Sequence, residues 1–269
     1  MADDLELLQA AKAGDRAALD ELLARHEQQI YRFGLRMCGN ESDARDILQE
    51  TLTAAFRNLG DYRGEGALST WLYQIARSFC IKSHRRRVGE PSHTLSLEGA
   101  AAQAVPTEAS APDERAQAHE MGQIIQAAML ALPDSAREVI ILRDVEGLSA
   151  SEAASVIGID VPALKSRLHR ARMELRSHLS ALLDAPASAP ACAALATELA
   201  DYAASDIDQA ACERIEAHLE RCEQCRRSCD VLKRTVSLCR HIPAGEVPRP
   251  VRDAVVNALR DTIAKLPGL

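Results

Sequence analysis

Aromatic side chains are scarce in this sequence. Phe, Trp and Tyr make up only 3% of its 269 residues, while apolar residues as a whole make up 47%. Ala and Leu carry most of that apolar share. Sheets are built largely from β-branched and aromatic residues, so this balance favours helices and an all-α fold is expected. Long apolar runs are lacking as well. None reaches the roughly 18 residues of a membrane-spanning helix, and no charged-then-apolar leader follows Met1. Neither a secretory signal nor a membrane partner is expected, and the cytoplasm is the expected location. A surplus of positive charge is also missing. The net charge of −7 argues against a wholly basic nucleic-acid binder. The basic residues are clustered, however, and clustering governs local binding more than the total does.

Cysteine is present but unevenly placed. Six of the eight lie between Cys192 and Cys239. In a reducing compartment such a cluster points to metal binding or redox chemistry before structural disulfides. The densest part is His218-Leu-Glu-Arg-Cys222-Glu-Gln-Cys225. Its His and two Cys fall at i, i+4 and i+7, on one face of a helix or helix end. Imidazole and thiolate at that spacing suit a four-coordinate zinc site, with the fourth ligand supplied from upstream.

The chain divides by composition. Residues 5–88 read as helices: Leu5, Leu8 and Ala11 recur at threes, and Leu22 and Leu23 follow Leu19 by three and four. Gly39-Asn40 precedes a helix through about Leu59, with Ile47, Leu48, Leu52 and Phe56 on its buried stripe. After a loop at Asp61–Gly66, Ser69 is expected to cap a helix from Thr70 to about Arg86. Residues 89–113 hold Pro91, Pro106 and Pro112 with no helical period and read as a linker. Residues 114–183 are helical again, 184–243 form a Cys-rich block, and 244–269 hold a last amphipathic helix. Val255, Leu259, Ile263 and Leu266 make its stripe, which suits a packed cap, a groove on a neighbouring domain or a dimer contact.

Two blocks carry nucleic-acid chemistry. In the first, Ser149 caps a short helix, Gly158 permits a turn, and Asp160 caps a second helix from Val161 through Arg176. Leu164, Leu168, Ala171 and Leu175 face inward on that helix. Lys165, Arg167, His169, Arg170, Arg172 and Arg176 are expected on its surface. A helix-turn-helix with a basic second helix can enter the DNA major groove; the same pattern also describes a solvated basic helix in an all-α core. In the second block, Arg57, Asn58, Arg63, Trp71, Tyr73, Arg77, Lys82, Arg85, Arg86 and Arg87 interleave cations with aromatics, as single-stranded nucleic-acid binding requires. Trp71 sits among Leu72, Ile75 and Ala76, which also fits a core position.

Three stretches resemble the two signature domains of the extracytoplasmic-function sigma factors. They are Asp43–Thr51 (DARDILQET), Tyr62–Arg77 (YRGEGALSTWLYQIAR), and Leu148–Ala154 (LSASEAA) continuing to Val161–Arg172 (VPALKSRLHRAR). The likeness spans about residues 5–183, in order, with a linker between. It implies a sigma region 2 at 1–88 and a region 4 at 114–183. It places Asp43, Asp46 and Gln49 where region 2 docks on the clamp helices of the RNA polymerase largest subunit. Arg57, Asn58, Arg63, Ser69, Trp71 and Arg77, with Lys82, Arg85 and Arg86, fall where the −10 element is melted and held as a single strand. Lys165, Ser166, Arg167, His169, Arg170 and Arg172 fall where the −35 duplex is read, beside the polymerase β flap. Such a protein is not itself an enzyme: it positions polymerase, and polymerase does the chemistry.

The tail resembles the zinc-binding anti-sigma domain, through Cys192–Tyr202 (CAALATELADY) and Glu216–Cys225 (EAHLERCEQC). That likeness implies Cys192, His218, Cys222 and Cys225 as zinc ligands. It leaves Cys212, Cys229 and Cys239 outside the motif, and leaves room for a separate anti-sigma partner. The expectation is a sigma factor controlled in cis by its own zinc- and thiol-bearing tail under metal or redox stress. The alternative is a metal- or redox-responsive helix-turn-helix regulator that acts at operators without being a polymerase subunit. A zinc deaminase is disfavoured. Glu220 follows His218 by two as it would there, but Arg221 stands where a Pro should precede the Cys pair.

Overall fold

The computed structural model describes residues 3–58, 62, 67–88, 112–179, 192–203, 207–240 and 246–264. These residues are helical with no strand among them, so the fold is all-α. The chain forms two compact units. One joins Met1–Glu108 to Ala244–Leu269, and the other is Ala109–Pro243.

The first unit begins with α1 (Asp4–Lys12), whose Asp3 and Glu6 form a reciprocal capping box. Asp15 caps α2 (Arg16–Cys38), which ends on Gly39 at φ 78°, a left-handed position where glycine carries no steric penalty. Asn40 then caps α3 (Glu41–Arg57). The next helix, α4 (Leu68–Val88), begins at Leu68, so Ser69 lies inside the first turn and is not its cap. Buried Leu68 explains the earlier start, because the apolar contact carries the helix one residue past the polar signal. Ile30, Phe33 and Met37 of α2 meet Ala44, Ile47 and Leu48 of α3 and Leu72, Tyr73 and Ala76 of α4 in one core. Phe33 and Tyr73 pack edge-on at 5.4 Å. Gly34 lets α2 and α3 approach closely, since a Cβ there would sit 3.2 Å from the Ala44 Cα.

The second unit starts with α5 (Pro112–Leu130) and α6 (Asp134–Ile140), which continues into a π turn at Ile141–Val145. Buried Arg137 ties the α5 end to α6 by donating to the carbonyls of Met129, Leu130 and Leu132 at 2.8–3.0 Å. α7 (Ala150–Ile157) has Ser149 and Glu152 as a capping box and ends on Gly158 at φ 78°. Asp160 caps α8 (Val161–His178) with Pro162 in its first turn. Leu164, Leu168, Ala171 and Leu175 face the core as the periodicity predicts. Beyond them the chain forms a 3₁₀ turn at Ala193–Leu195, α9 (Ala196–Ala203), α10 (Gln209–Arg221) and α11 (Glu223–Arg240). Leu199, Ala200, Ala203, Ile215, Cys225, Cys229 and Leu232 make their own apolar cluster, and Met173 of α8 packs against it. Both α9 and α11 pack on α8.

The last helix, α12 (Arg249–Ala264), returns to the first unit and lies against α3. Val255 and Leu259 are buried, as expected of its stripe, while the Ile263 side chain and Leu266 lie outside the described residues. Arg252 pairs with the buried Glu27, and Arg260 reaches Asp20 at 3.3 Å, both on α2. No helix among the described residues is long and apolar enough to cross a membrane.

Candidate nucleic-acid interface and metal centre

In the first unit, α3 turns three polar residues to its outer side. Asp46 is exposed and Asp43 and Gln49 are half-buried, at intervals of three that follow the helix face. Asp43 also joins the cap: its N–H donates to the Asn40 side chain at 2.8 Å, and its carboxylate accepts from Asn40 Nδ2. Asp46 is shared with Arg45 at 3.3 Å. Arg57 and Asn58 are exposed at the end of α3, and Lys82 is exposed on α4. Ser69 and Arg77 are half-buried. Trp71 is neither core nor open platform. It is half-buried with its ring tilted 33° against Tyr62 at 5.3 Å. Arg63 and the side chains of Arg85 and Arg86 lie outside the described residues.

The basic helix of the second unit departs further from expectation. Arg172 is not on the surface but is 1% exposed. Its Nε and one terminal nitrogen donate to Asp144 of the π turn at 2.9 and 2.5 Å, and the other donates to the Ala200 carbonyl of α9 at 2.9 Å. Burial pulls this guanidinium down, but the Asp144 carboxylate outweighs that and holds it above the ordinary arginine value. Arg176 is also buried, and burial lowers its pKa. Lys165 pairs with Asp201 of α9 at 3.1 Å, and Arg167 pairs with the buried Glu138 of α6 at 3.5 Å. His169 is half-buried with Nδ1 lacking a partner, and burial lowers its pKa first, helped by Arg172. Ser166 and Arg170 stay exposed. The acidic partners Asp144, Glu138 and Asp201 carry no sequence signal, since they lie 28, 29 and 36 positions from the cations they hold.

The tail brings its four expected ligands together. The Sγ atoms of Cys192, Cys222 and Cys225 and a ring nitrogen of His218 all lie within 4.8 Å of one another. Cys192 precedes the 3₁₀ turn into α9, His218 sits in the last turn of α10, and Cys222 and Cys225 flank the start of α11. The site thus pins three helix ends. Cys225 is fully buried, and burial pushes its thiol up to about 11. The Cys222 thiol is lowered by hydrogen bonds from the Cys225 backbone and side chain. His218 Nε2 is buried without a partner, an orphaned lone pair or N–H of the kind a ligand resolves. Three sulfurs and one imidazole in a closed cluster fit Zn²⁺ in a structural role. The remaining tail cysteines do not join: Cys229 and Cys239 are buried, and Cys212 lies 3.5 Å from Glu216.

Comparison with known proteins places both units. The Sigma-70 region 2 model matches residues 22–89, and the Sigma-70 region 4 model matches 122–175. ECF RNA polymerase sigma factor SigM of Mycobacterium tuberculosis is 34% identical over 172 residues, covering 64% of this chain and 82% of its own. The chain belongs to the ECF RNA polymerase sigma factors. SigW of Bacillus subtilis is 31% identical to this sigma factor over 178 residues, 64% of this chain and 94% of its own. SigE of Mycolicibacterium smegmatis is 34% identical over 170 residues, 62% of this chain and 65% of its own. This sigma factor therefore spans just under two thirds of that relative. Neither family model reaches the Cys-rich tail.

Proposed function

We propose that this sigma factor directs core RNA polymerase to its promoters in the cytoplasm and that its own tail, built around a zinc ion, regulates that activity. Family membership supports promoter-specific initiation. Asp43, Asp46 and Gln49 then form the polymerase-facing side of α3. Arg57, Asn58, Arg63, Ser69, Trp71, Arg77, Lys82, Arg85 and Arg86 serve the −10 single strand, with the Tyr62–Trp71 pair as the aromatic surface beside them. Ser166 and Arg170, with Lys165, Arg167 and His169 once released, serve the −35 duplex through base-edge and phosphate contacts.

The observation that carries the regulatory part is the convergence of Cys192, His218, Cys222 and Cys225 at the ends of α9, α10 and α11, of which α9 and α11 pack on α8. These four residues would hold a zinc ion, which would supply a structural cross-link between the helix ends rather than hydrolytic chemistry. Thiolates of this kind also respond to metal exchange and oxidation, which makes the tail suited to metal or redox stress.

Run-off transcription with core polymerase tests both halves. The full-length protein and a version ending at Leu183 are compared with zinc, copper or peroxide varied. Promoter-dependent transcripts are expected from both, with only the full-length protein responding to metal or oxidant. Failure to form a holoenzyme would remove the first half. Identical responses from the two proteins would remove the second.

A further inference from the structure

The sequence leaves open whether the tail restrains or assists the −35 helix. We infer that it restrains it: α9 is a latch on α8, with the Asp201 carboxylate standing where a DNA phosphate would sit. The inference rests on the reading of α8 as the −35 helix.

Three observations converge. First, Lys165, near the N-terminal end of α8 where a recognition helix meets DNA, is held at 3.1 Å by Asp201, whose side chain is only 11% exposed. A carboxylate is the protein's nearest equivalent of a phosphate oxygen, and one ammonium cannot serve both. Second, the neighbouring α9 residue holds α8 again. The Ala200 carbonyl accepts from Arg172, which is fixed from its other side by Asp144. Two adjacent residues of one short helix thus grip α8 at positions 165 and 172, two turns apart. Third, the grip covers a continuous face. Lys165, His169, Arg172, Met173 and Arg176 follow one another at helical spacing. Arg172 and Arg176 are buried, and Met173 packs into the tail's apolar cluster. Of the six residues assigned to the −35 duplex, Ser166 and Arg170 remain exposed. Duplex can therefore occupy this face only after α9 swings away. Cys192, four residues before α9, ties the latch to the ligand cluster.

The test uses the full-length chain without polymerase, which separates it from the transcription assay above. Asp201→Asn keeps the shape and removes the charge. Glu213→Gln removes the same charge from an exposed position on α10 and controls for net charge. Binding to a 30-base-pair mixed-sequence duplex is followed by fluorescence anisotropy across a salt series. Asp201→Asn is expected to bind about fivefold or more tightly at low salt, within the usual range of intramolecular coupling. The plot of log affinity against log salt should steepen by about one, as one further phosphate is neutralised. In a second measurement that needs no DNA, Lys165 should be acylated faster by a water-soluble active ester in Asp201→Asn than in Glu213→Gln. If the two variants bind alike and Lys165 reacts alike in both, the latch is wrong. The zinc-tail reading would then stand or fall on the transcription assay alone.

Discussion

At the scale of single residues, Arg172 shows how a basic helix can mislead. It lies two residues past the exposed Arg170, yet its guanidinium is spent on Asp144 and the Ala200 carbonyl inside the unit. Removing one member of such a pair strands the other charge in a low-dielectric interior. Arg172→Ala is therefore expected to lower the stability of the second unit by about 3–5 kcal/mol, read by urea denaturation followed by circular dichroism. Replacing Arg172 and Asp144 together with Met and Leu should cost much less, because no charge is left alone. Arg170→Ala, by contrast, should leave stability unchanged and weaken duplex binding. His169 gives a pH signature. Its pKa is lowered by burial and by Arg172 and Arg170, opposed by Asp201. A base depressed in the folded state is neutral there, so its contribution is complete above the ordinary value of 6.5 and is lost as pH falls through the lower folded value. Stability should decline on acidification below about pH 6.5, and His169→Gln should flatten that slope; an unchanged slope would remove His169 as the cause.

At the scale of elements, the starts of α3, α7 and α8 were legible because caps are local chemistry. Ser149 and Asp160 mark α7 and α8 in sequence and in structure alike, and the structure adds Glu152 and Pro162 to those starts. Other features were hidden because their causes are not local. α4 starts ahead of Ser69 because Leu68 is buried, and the π turn at Ile141–Val145 places Asp144 under Arg172 with no breaker residue to announce it. The stripe of α12 was readable from its spacing, but its seat on α3 was not, since periodicity gives a face and never a partner. Leu259 is 1% exposed in that seat. Leu259→Ala should cost about 2–3 kcal/mol of local stability, less than a deep core site because the helix can partly resettle. Amide hydrogen exchange should then quicken along α12 and on the facing turns of α3. Unchanged protection would mean that α12 is held by its Arg252–Glu27 and Arg260–Asp20 pairs instead.

At the scale of the whole molecule, two kinds of order coexist. The first unit rests on apolar burial among α1 to α4, with α12 laid on α3. The tail part of the second unit has a smaller cluster, in which Cys225 and Cys229 stand where larger side chains would pack. A small helical layer of this kind gains cohesion from a metal because four side chains fix three helix ends at once. The ligand set was legible from the spacing of His218, Cys222 and Cys225 together with the likeness that implied Cys192. The contacts of α9 with α8 were not, because they join residues 28 and 36 positions apart. On the proposed reading, metal and latch would be linked by mass action. A ligand bound only by the folded state adds about 1.4 kcal/mol of stability for each tenfold rise in its free concentration above Kd. Purified under reductant, the protein is expected to hold one zinc per chain by elemental analysis. Chelation should speed hydrogen exchange in α9 to α11 and, through the lost grip, in α8, while leaving α1 to α4 unchanged. Cys192→Ala should reproduce that pattern without a chelator. Quickened exchange confined to α10 and α11 would show that the ligand cluster shapes the tail without reaching α8.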